Sequence, residues 1–597
     1  MRGKNGLILP VMVCTLMVVG ILVGGVLRYV YHGTRQTGMF QAATRCRLAA
    51  QSALEMAKTG VVSAYRGYYI SQHGLMGSNF LNWFSGATST YVGSGSYSYS
   101  APQNLSLGGC TVSVSFTDFD AETRYPQSET ITMRARAECV SANGIHVSRT
   151  IEETVRFGII RSPVFDYAYF VNNHGWFQGG GVTANGDIRA NANFDLDTAS
   201  TVNGHCYAAV NAAMGSQGAG NINIDGGSSV KHQTISAYWT AQGTRARPTS
   251  PTSATGMEWT QGYDGTSSLN KKQQVLDMPV LGDLSSYVAI AKQQNGTVSQ
   301  GGKVLINNQF SGVGPSGLST LSNGSTAVPD KGSIVLIGTQ SNPIILNGPV
   351  VVDGDVIIKG YVKGQGSIYA GRNIHIVGNV TYVNAPSWSH PDNAPVATAN
   401  ANRTKDLLCL AAKGNIVLGD SSSSSWLDSN LKYYISSSFV NPYTCDPSDA
   451  SIGYPSTFNG NYNANDGGTM INRTTTTTGY GRTARQVTTY SAASRKYYQS
   501  TVGNLLSDYA DSSITRIDAT LYNNHAVMGK LGQNCSINGS MVCRDEAIIY
   551  NNTLSFNWDI RLGSRSQDGM NIDLYLPMTI GDPQVIGWRE VDDDDDA

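Results

Sequence analysis

The sequence predicts a mainly β protein that begins with one long α-helix. This helix is first transmembrane and then amphipathic, and a small antiparallel sheet and a β-helix (solenoid) with loop insertions follow it. Three patterns predict this fold class. The first is an uncharged run at residues 7–27 followed by small or apolar positions three or four apart from Met39 to Val61. The others are alternating apolar and polar positions within residues 110–139 and a six-residue repeat over residues 347–382. The change of period indicates that the three regions fold in different ways.

The helix begins with an uncharged run from Leu7 to Leu27, which spans roughly 30 Å, the thickness of one hydrocarbon core. No proline occurs between Pro10 and Pro102, so nothing in the sequence forces the helix to end at the membrane surface. We therefore predict a membrane helix that includes Leu7, Pro10, Val11 and Leu27 and continues beyond the membrane.

The second half of the predicted helix is amphipathic. Its small or apolar side chains recur three or four residues apart, as one face of a helix requires. They are Met39, Ala43, Cys46, Ala50, Ala53, Ala57 and Val61. We predict one continuous rod over residues 7–65, with its first half suited to lipid and its second half suited to packing on a sheet.

Six residues, MRGKNG, precede the apolar run, and they are basic and end in Gly6. This leader followed by this helix resembles the precursors of the type IV pilin-like family, and the form of residues 6–11 is similar to minor pilins with PilX-type N-termini. The resemblance implies that residues 1–6 are a leader peptide, cleaved between Gly6 and Leu7 by a prepilin peptidase. It also implies a single-pass protein of the bacterial inner membrane before assembly, and a cell-surface filament afterwards.

The fifth position after this cleavage is Val11, where most major pilins have glutamate. Some minor components at a filament tip lack that glutamate, so Val11 argues against a bulk subunit and leaves tip placement open. The resemblance implies a minor pilin-like (pseudopilin) component of a type IV pilus or related secretion filament, acting in filament initiation, tip placement or adhesion. The implied partners are other pilin-like subunits through the helix, and a surface glycan or protein as ligand of the ectodomain.

Two other interpretations of the N-terminus stay open. A secretory signal peptide has a shorter apolar run and a small-residue cleavage site, whereas an ordinary signal anchor keeps its N-terminus. Counting positive charges does not decide the orientation, because basic residues occur on both sides of the run. They are Arg2 and Lys4 before it, and Arg28, Arg35, Arg45 and Arg47 after it.

Residues 66–165 are predicted to form an antiparallel β domain, with an irregular connection before its first strand. Apolar side chains alternate with polar ones from Cys110 and again up to Cys139, and Asn143–Gly144 predicts a type I′ hairpin turn. If the two strands pair, Cys110 and Cys139 lie near each other on one face. The sequence predicts a disulfide between them, with two buried free thiols as the open alternative.

Residues 166–591 are predicted to form a β-helical ectodomain, with insertions near residues 227–300 and 420–510, and residues 592–597 an acidic tail. The repeat over residues 347–382 has a glycine at the second position of most six-residue units. The fourth position is always aliphatic: Val350, Val356, Val362, Ile368, Ile374 and Val380. One inward aliphatic side chain and one turn glycine per unit indicate a coil of short parallel strands, about three units per turn.

β-Helices host polysaccharide lyases and hydrolases, so a catalytic site has to be considered. Asp353 and Asp355 form the best carboxylate pair, because residues two apart on a strand share a face. They flank a repeat glycine, where solvated turn residues are the favoured interpretation. His174 and His205 lie in glycine-rich turns without an accompanying catalytic motif. We predict no catalytic residue and no enzymatic activity.

The sequence also predicts no metal, no cofactor and no nucleic-acid partner. Asn193, Asp195 and Asp197 resemble the start of a calcium loop, but Thr198 and Gly204 stand where that loop needs Gly and Glu. The nine cysteines form no CxxC pair and no zinc-like cluster with histidine. A net charge of -1 with 14% charged residues offers no large basic surface.

A second function stays open, that of a membrane-anchored β-helical surface protein that binds or degrades polysaccharide. Aromatic side chains in the insertions would stack on sugars or dock on another protein, although such residues more often form small local cores under long loops. They are Trp239, Trp259, Trp426, Tyr433 and Tyr434.

Overall fold

The computed structural model describes residues 8–71, 104–231, 273–311, 334–426, 471–492, 506–563 and 575–591, with short gaps inside several of these ranges. The described residues form two compact units. The first contains those of residues 1–68, 78–158 and 581–597, and the second those of residues 69–77 and 159–580. Each unit buries a set of apolar side chains of its own.

Helix α1 (Ile8–Ser71) is 64 residues long, and the predicted long apolar helix at the N-terminus is confirmed. Pro10 is its third residue. Because the first four N–H groups of a helix have no partner within it, this proline removes no hydrogen bond. Two short helices, α2 (Ser285–Gln293) and α3 (Pro395–Asn402), belong to the second unit.

The first unit contains an antiparallel sheet, as the alternating pattern predicts. Its strands are β1 (Leu105–Leu107), β2 (Cys110–Glu122), β3 (Ser128–Val140), β4 (His146–Arg161) and β31 (Gln584–Val591). They lie in the order β1-β2-β3-β4, and β31 pairs with β4. Val112, Val114 and Phe116 of β2 are buried together with Ile131 and Met133 of β3, so one face of the sheet forms the core.

The turn between β3 and β4 differs from the predicted form. Gly144 has a φ of 74°. A type I′ turn with Asn143 and Gly144 at its centre would have a two-residue loop. The backbone N–H of Ser141 donates to Ile145 (2.8 Å), and that of Gly144 donates to Ser141 (2.9 Å). The hairpin therefore closes with a longer loop that ends in one left-handed glycine.

The second unit consists mainly of short strands. They are β5 (Tyr169–Val171), β6 (Gly175–Phe177), β7 (Val182–Asn185), β8 (Ile188–Ala190), β9 (Phe194–Leu196), β10 (Thr201–Asn203), β11 (Cys206–Ala208), β12 (Ile222–Ile224), β13 (Ser229–Lys231), β14 (Thr297–Gln300), β15 (Lys303–Ile306), β16 (Gln309–Ser311), β17 (Ile334–Gly338), β18 (Ile344–Val352), β19 (Val356–Ala370), β20 (Ile374–Tyr382), β21 (Leu407–Ala412), β22 (Ile416–Leu418), β23 (Ile471–Thr478), β24 (Arg485–Ala492), β25 (Arg516–Asp518), β26 (Thr520–Asn523), β27 (Ala526–Gly539), β28 (Met541–Cys543), β29 (Asp545–Trp558) and β30 (Met578–Ile580). One sheet links 20 of the described strands, and most of its pairings are parallel. Strands β6, β9 and β12 form a separate parallel sheet, and β23 pairs antiparallel with β24.

The strands of the six-residue repeat pair in parallel at a regular spacing. Val350 of β18 lies opposite Ile368 of β19, and Val356 of β19 lies opposite Ile374 of β20, in both cases 18 residues apart. All six aliphatic fourth positions of the repeat are fully buried. The register then shifts, so that Val362 lies opposite Tyr382, two residues beyond Val380. The aliphatic side chains of the repeat nevertheless form one core.

Amide side chains form a second regular feature of this sheet. The Nδ2 group of Asn203 donates to Asn185 (2.7 Å), and that of Asn185 donates to Asn557 (2.6 Å). Asn557 donates to Asn538 (2.7 Å), and Asn538 donates to Asp518 (2.6 Å). Because the three inner asparagines both donate and accept, polar groups on successive strands satisfy one another.

The predicted insertions lie largely outside the described residues, and so does the acidic tail at residues 592–597. Strand β31 falls within the region that the sequence assigns to the ectodomain, yet it pairs with β4 in the sheet of the first unit.

Candidate functional site: the N-terminal helix

The first half of α1 exposes apolar side chains in every direction. They include Leu9, Met12, Leu16, Met17, Ile21, Leu22, Val26 and Tyr31. The apolar stretch of α1 has a mean hydropathy of 2.4, and none of its residues is buried. A helix that is apolar all round requires lipid or other helices around it, because monomeric soluble proteins rarely expose apolar patches of this extent.

The predicted membrane residues within the described part of this half are exposed. Val11 is 57% exposed and Leu27 63% exposed, and Pro10 is exposed as well. Thr15 donates its hydroxyl to the carbonyl oxygen of Val11 (2.7 Å), so this polar group is satisfied within the helix. That arrangement suits a segment surrounded by hydrocarbon. Gly6 and Leu7 lie outside the described residues, and cleavage between them stays a prediction.

The second half of α1 presents a face of small side chains to the core of the first unit. Its buried residues are Ala42, Cys46, Ala49, Ala50, Ala53, Leu54, Ala57 and Val61. The predicted stripe is therefore nearly right, but it begins at the wrong residues, because Met39 is 41% exposed and Gly38 is buried in its place. Small side chains let the backbone of α1 approach its neighbours closely.

Polar contacts surround this packed face. Lys58 Nζ lies 2.7 Å from Glu55 and 3.1 Å from Glu153 of β4, and Glu153 is largely buried. Burial lowers the pKa of Lys58, but its hydrogen bonds to Glu55 and Glu153 outweigh burial and raise the pKa overall. Nearer the N-terminus of the helix, the guanidinium of Arg47 lies 5.5 Å from the ring of Trp588 on β31. These contacts hold the second half of α1 in one register on the sheet.

Three cysteines meet at this packed face. The Sγ atom of Cys46 lies 3.1 Å from that of Cys139 and 3.8 Å from that of Cys110, and all three lie within 4.8 Å of one another. The register that places Thr111 opposite Glu138 brings the two strand cysteines to one end of the hairpin. Burial is the largest cause that raises the pKa of Cys46 and of Cys110. All three thiols are free in the structure, and the predicted Cys110–Cys139 disulfide stays a prediction.

The candidate catalytic and calcium-binding residues make internal contacts in the second unit. Asp355 is fully buried and accepts the backbone N–H of Asn373 (2.9 Å), so the prediction of a solvated turn residue is wrong for it. Asp353 lies outside the described residues. The Nε2 atom of His174 lies 3.1 Å from a carboxylate oxygen of Asp195. These side chains contact neighbouring segments of the second unit.

The second unit also contains a cleft of about 100 Å³ lined mainly by aromatic and aliphatic side chains. Glu546 lies in it and accepts hydrogen bonds from the Tyr169 hydroxyl (3.3 Å) and from the N–H of Ile548. Burial raises the pKa of Glu546 to about 7, against these two hydrogen bonds, which lower it. Trp176 and Tyr550 line the same cleft, so it combines ring faces with one carboxyl group.

No family model matches the chain. A search of curated proteins also gives no match. Among solved structures, the chain is similar to the competence-associated pilin ComZ from Thermus thermophilus, with 10% identity and a TM-score of 0.26 over 92% of this chain and 97% of that one.

Sequence reasoning missed two of these features. Cys46 was placed on the packed stripe of the helix, and Cys110 and Cys139 on one face of the sheet, but the three were not brought together. The sequence pattern is sufficient to bring the three cysteines together, because the helix stripe that contains Cys46 is predicted to pack on the sheet face that contains Cys110 and Cys139. Glu546 gives no such signal, since its cleft is formed by β29 together with β5, β6 and β7, which lie more than 350 residues earlier in the sequence.

Proposed function

We propose that this protein is a minor pilin-like component of a type IV pilus or of a related secretion filament. The observation that carries the proposal is the division of α1 into an exposed apolar half and a half packed on an antiparallel sheet. In this proposal the exposed half lies in the inner membrane before assembly. It then packs among the helices of other subunits.

The continuity of α1 favours this function over simple anchoring. An anchor needs only about 20 apolar residues to cross a bilayer. Here the apolar half continues without a break into a half that is fixed to the first unit, within one helix of 64 residues. A continuous helix of this kind would set the position of the first unit on the filament, whereas a membrane anchor has no need of one. Val11, in place of the glutamate of most major pilins, favours a low-copy subunit.

The second unit would then be the displayed part of the protein. We propose that its parallel ladder, with an 18-residue spacing and a buried aliphatic side chain in each six-residue unit, is a β-helix. The unit would act without enzymatic activity, in filament initiation, tip placement or adhesion to a surface glycan or protein.

The experiment is mass analysis of the N-terminus of the protein isolated from its native membrane. We expect a chain that begins at N-methylated Leu7. The variant Gly6→Val would remain uncleaved, because the peptidase cuts after this glycine, whereas Gly3→Val, a matched change inside the same leader, would be cleaved normally. A native chain that begins at Met1 contradicts the proposal.

The aromatic cleft around Glu546 favours a second candidate, a membrane-anchored β-helical surface protein that binds or degrades polysaccharide. Ring faces beside a carboxyl group suit the apolar faces and hydroxyl groups of a sugar. A panel of polysaccharides tests this candidate through binding and release of reducing ends, with Trp176→Ala as the variant expected to lose binding. No binding and no turnover by the native protein would count against it.

A further inference from the structure

We propose that Cys46 of α1 and Cys139 of β3 form a disulfide bond that joins the helix to the sheet, with Cys110 left as a free thiol beside it. This pairing differs from the Cys110–Cys139 bond that the sequence predicts. It turns a packing contact between two elements into a covalent one.

The distances favour Cys139 over Cys110 as the partner of Cys46. Its Sγ atom lies 3.1 Å from that of Cys139, closer than its 3.8 Å distance to that of Cys110. A disulfide has an S–S distance of about 2.05 Å, so small rotations of two side chains would close the remaining gap of about 1 Å. The two residues stand on α1 and β3, which are already packed together at this point.

The surroundings favour a disulfide over a bound metal ion. Cys46 and Cys110 are at most 1% exposed and Cys139 is 6% exposed. Three thiolates on a divalent metal ion would leave a net charge of -1 in this buried site, and burying a net charge is unfavourable. A disulfide is uncharged, and it therefore suits a site packed among alanines of α1 and apolar side chains of the sheet.

The reaction requires an oxidant of the disulfide class, such as a thiol oxidoreductase in its oxidised form. Its disulfide first forms a mixed disulfide with Cys139 and releases one thiol. The Cys46 thiolate then attacks the Cys139 sulfur, so that the second thiol of the oxidant leaves. Two protein thiols lose two protons and two electrons, and the oxidant gains them. Since burial hinders both steps, the bond forms before the helix has fully packed on the sheet.

This inference rests on the proposed function in one respect: the second half of α1 has to fold outside the cytoplasm, where such oxidants act. The bond joins residues 93 positions apart. It would keep the packed half of α1 on the sheet when the exposed half is drawn out of the membrane or held by other subunits.

The test is a peptide map of the full chain taken from native membranes, with free thiols alkylated during lysis and the protein then denatured and cut with chymotrypsin. We expect a linked pair of peptides that contain Cys46 and Cys139, and an alkylated Cys110 peptide. The variant Cys110→Ser should keep the linked pair, whereas Cys46→Ser should lose it. A Cys110–Cys139 or Cys46–Cys110 pair would overturn the proposal, and so would a metal ion that the three cysteines hold until denaturation releases it.

A parallel sample separates this inference from the proposed function. The purified chain is reduced, denatured and refolded in a buffer of reduced and oxidised glutathione. A Cys46–Cys139 bond in this sample, together with free thiols in the native one, would uphold the pairing and count against an extracytoplasmic location. No such bond in either sample overturns the pairing itself.

Discussion

At the scale of single residues, the second unit pairs its buried charges. Arg561 is only 1% exposed, and its guanidinium makes a bidentate contact with Asp559, with distances of 2.6 to 3.1 Å. It also donates to the backbone carbonyl oxygens of Asn402 (2.9 Å), Lys405 (2.7 Å) and Asp406 (2.9 Å). One side chain therefore satisfies both a buried carboxylate and the end of α3.

We expect Arg561→Met to lower the free energy of unfolding of the second unit by about 3–5 kcal/mol, because Asp559 and three carbonyl groups lose their partner inside the protein. The measurement is urea unfolding of the full chain in detergent. Arg136→Met is the control, since its pair with Glu138 is more than half exposed on both sides, and exposed pairs contribute about 1 kcal/mol or less. Equal effects of the two substitutions would contradict the role given to Arg561.

Glu546 makes the stability of the folded protein depend on pH, and the direction of its pKa shift gives the sign of this dependence. Its pKa in the folded protein is raised from 4.5 to about 7, with burial as the main cause. Between these values the folded protein holds a proton that the unfolded chain has lost. The contribution of this group to stability is therefore fully present below pH 4.5 and is lost as the pH rises through 7, at no more than about 1.4 kcal/mol per pH unit.

We expect Glu546→Gln to remove the loss of stability that the wild type shows as the pH rises through 7. The difference between the urea midpoints of wild type and variant should shrink or reverse from pH 5 to pH 8. Tyr169→Phe removes a hydrogen bond that lowers the pKa of Glu546, so in that variant the fall should occur at higher pH. If the urea midpoints of wild type and Glu546→Gln changed with pH in the same way, Glu546 would have the same pKa in the folded and the unfolded chain. That result would contradict the prediction.

At the scale of elements, the sequence predicted what local periodicity determines. The length of α1, the alternation in β2 and β3, and the inward aliphatic positions of the six-residue repeat all follow from spacings within a few residues. The wrong predictions depend on longer-range packing. Gly38 rather than Met39 begins the buried face, and the turn at Asn143 takes a looser form beside the helix, where the Asn143 amide lies 3.4 Å from the carbonyl oxygen of Thr34.

The packed face of α1 predicts which substitutions disturb the first unit. Ala50 is fully buried. We expect Ala50→Leu to destabilise the contact of α1 with the sheet by about 1–3 kcal/mol, because a larger side chain forces the two elements apart. Hydrogen exchange of the β2 and β3 amides measures the loss.

Thr44→Leu is the matched control, since residue 44 lies on the exposed side of α1. It adds a leucine to the same helix without filling space against the sheet, and the exchange of β2 and β3 should stay as in the wild type. Faster exchange in both variants would mean that leucine acts through the helix itself rather than through packing.

At the scale of the whole molecule, the described residues form two units whose composition was only partly visible in the sequence. The first unit includes residues 78–158 and the second begins again at residue 159. The predicted change from the antiparallel domain to the ectodomain at residue 166 stays a prediction. The sequence does not predict that β31 pairs with β4. The alternation of apolar and polar residues within a strand does not specify which strand it pairs with. Glu546 and the cysteine cluster share this property, since each is assembled from segments far apart in the chain.

The division of α1 leads to a prediction for the entire chain. All the buried side chains of α1 lie at residue 38 or later. A chain that begins at Arg28 should therefore stay folded, remain in solution without detergent, and unfold at the same urea concentration as the full-length protein. The truncation removes exposed apolar surface and, among the described residues, no residue that is buried. Sedimentation after lysis and urea unfolding followed by circular dichroism measure the two properties.

A chain that begins at Gln51 provides the control. It also lacks Ala42, Cys46, Ala49 and Ala50, so the first unit loses part of its core, at about 25 cal/mol for each Å² of apolar surface no longer buried. We expect its sheet to unfold at lower urea concentration, with the second unit unchanged. If the chain from Arg28 aggregated or lost its cooperative transition as the shorter one does, the exposed half of α1 would contribute to the fold, and its surface would not be reserved for a membrane or for other subunits.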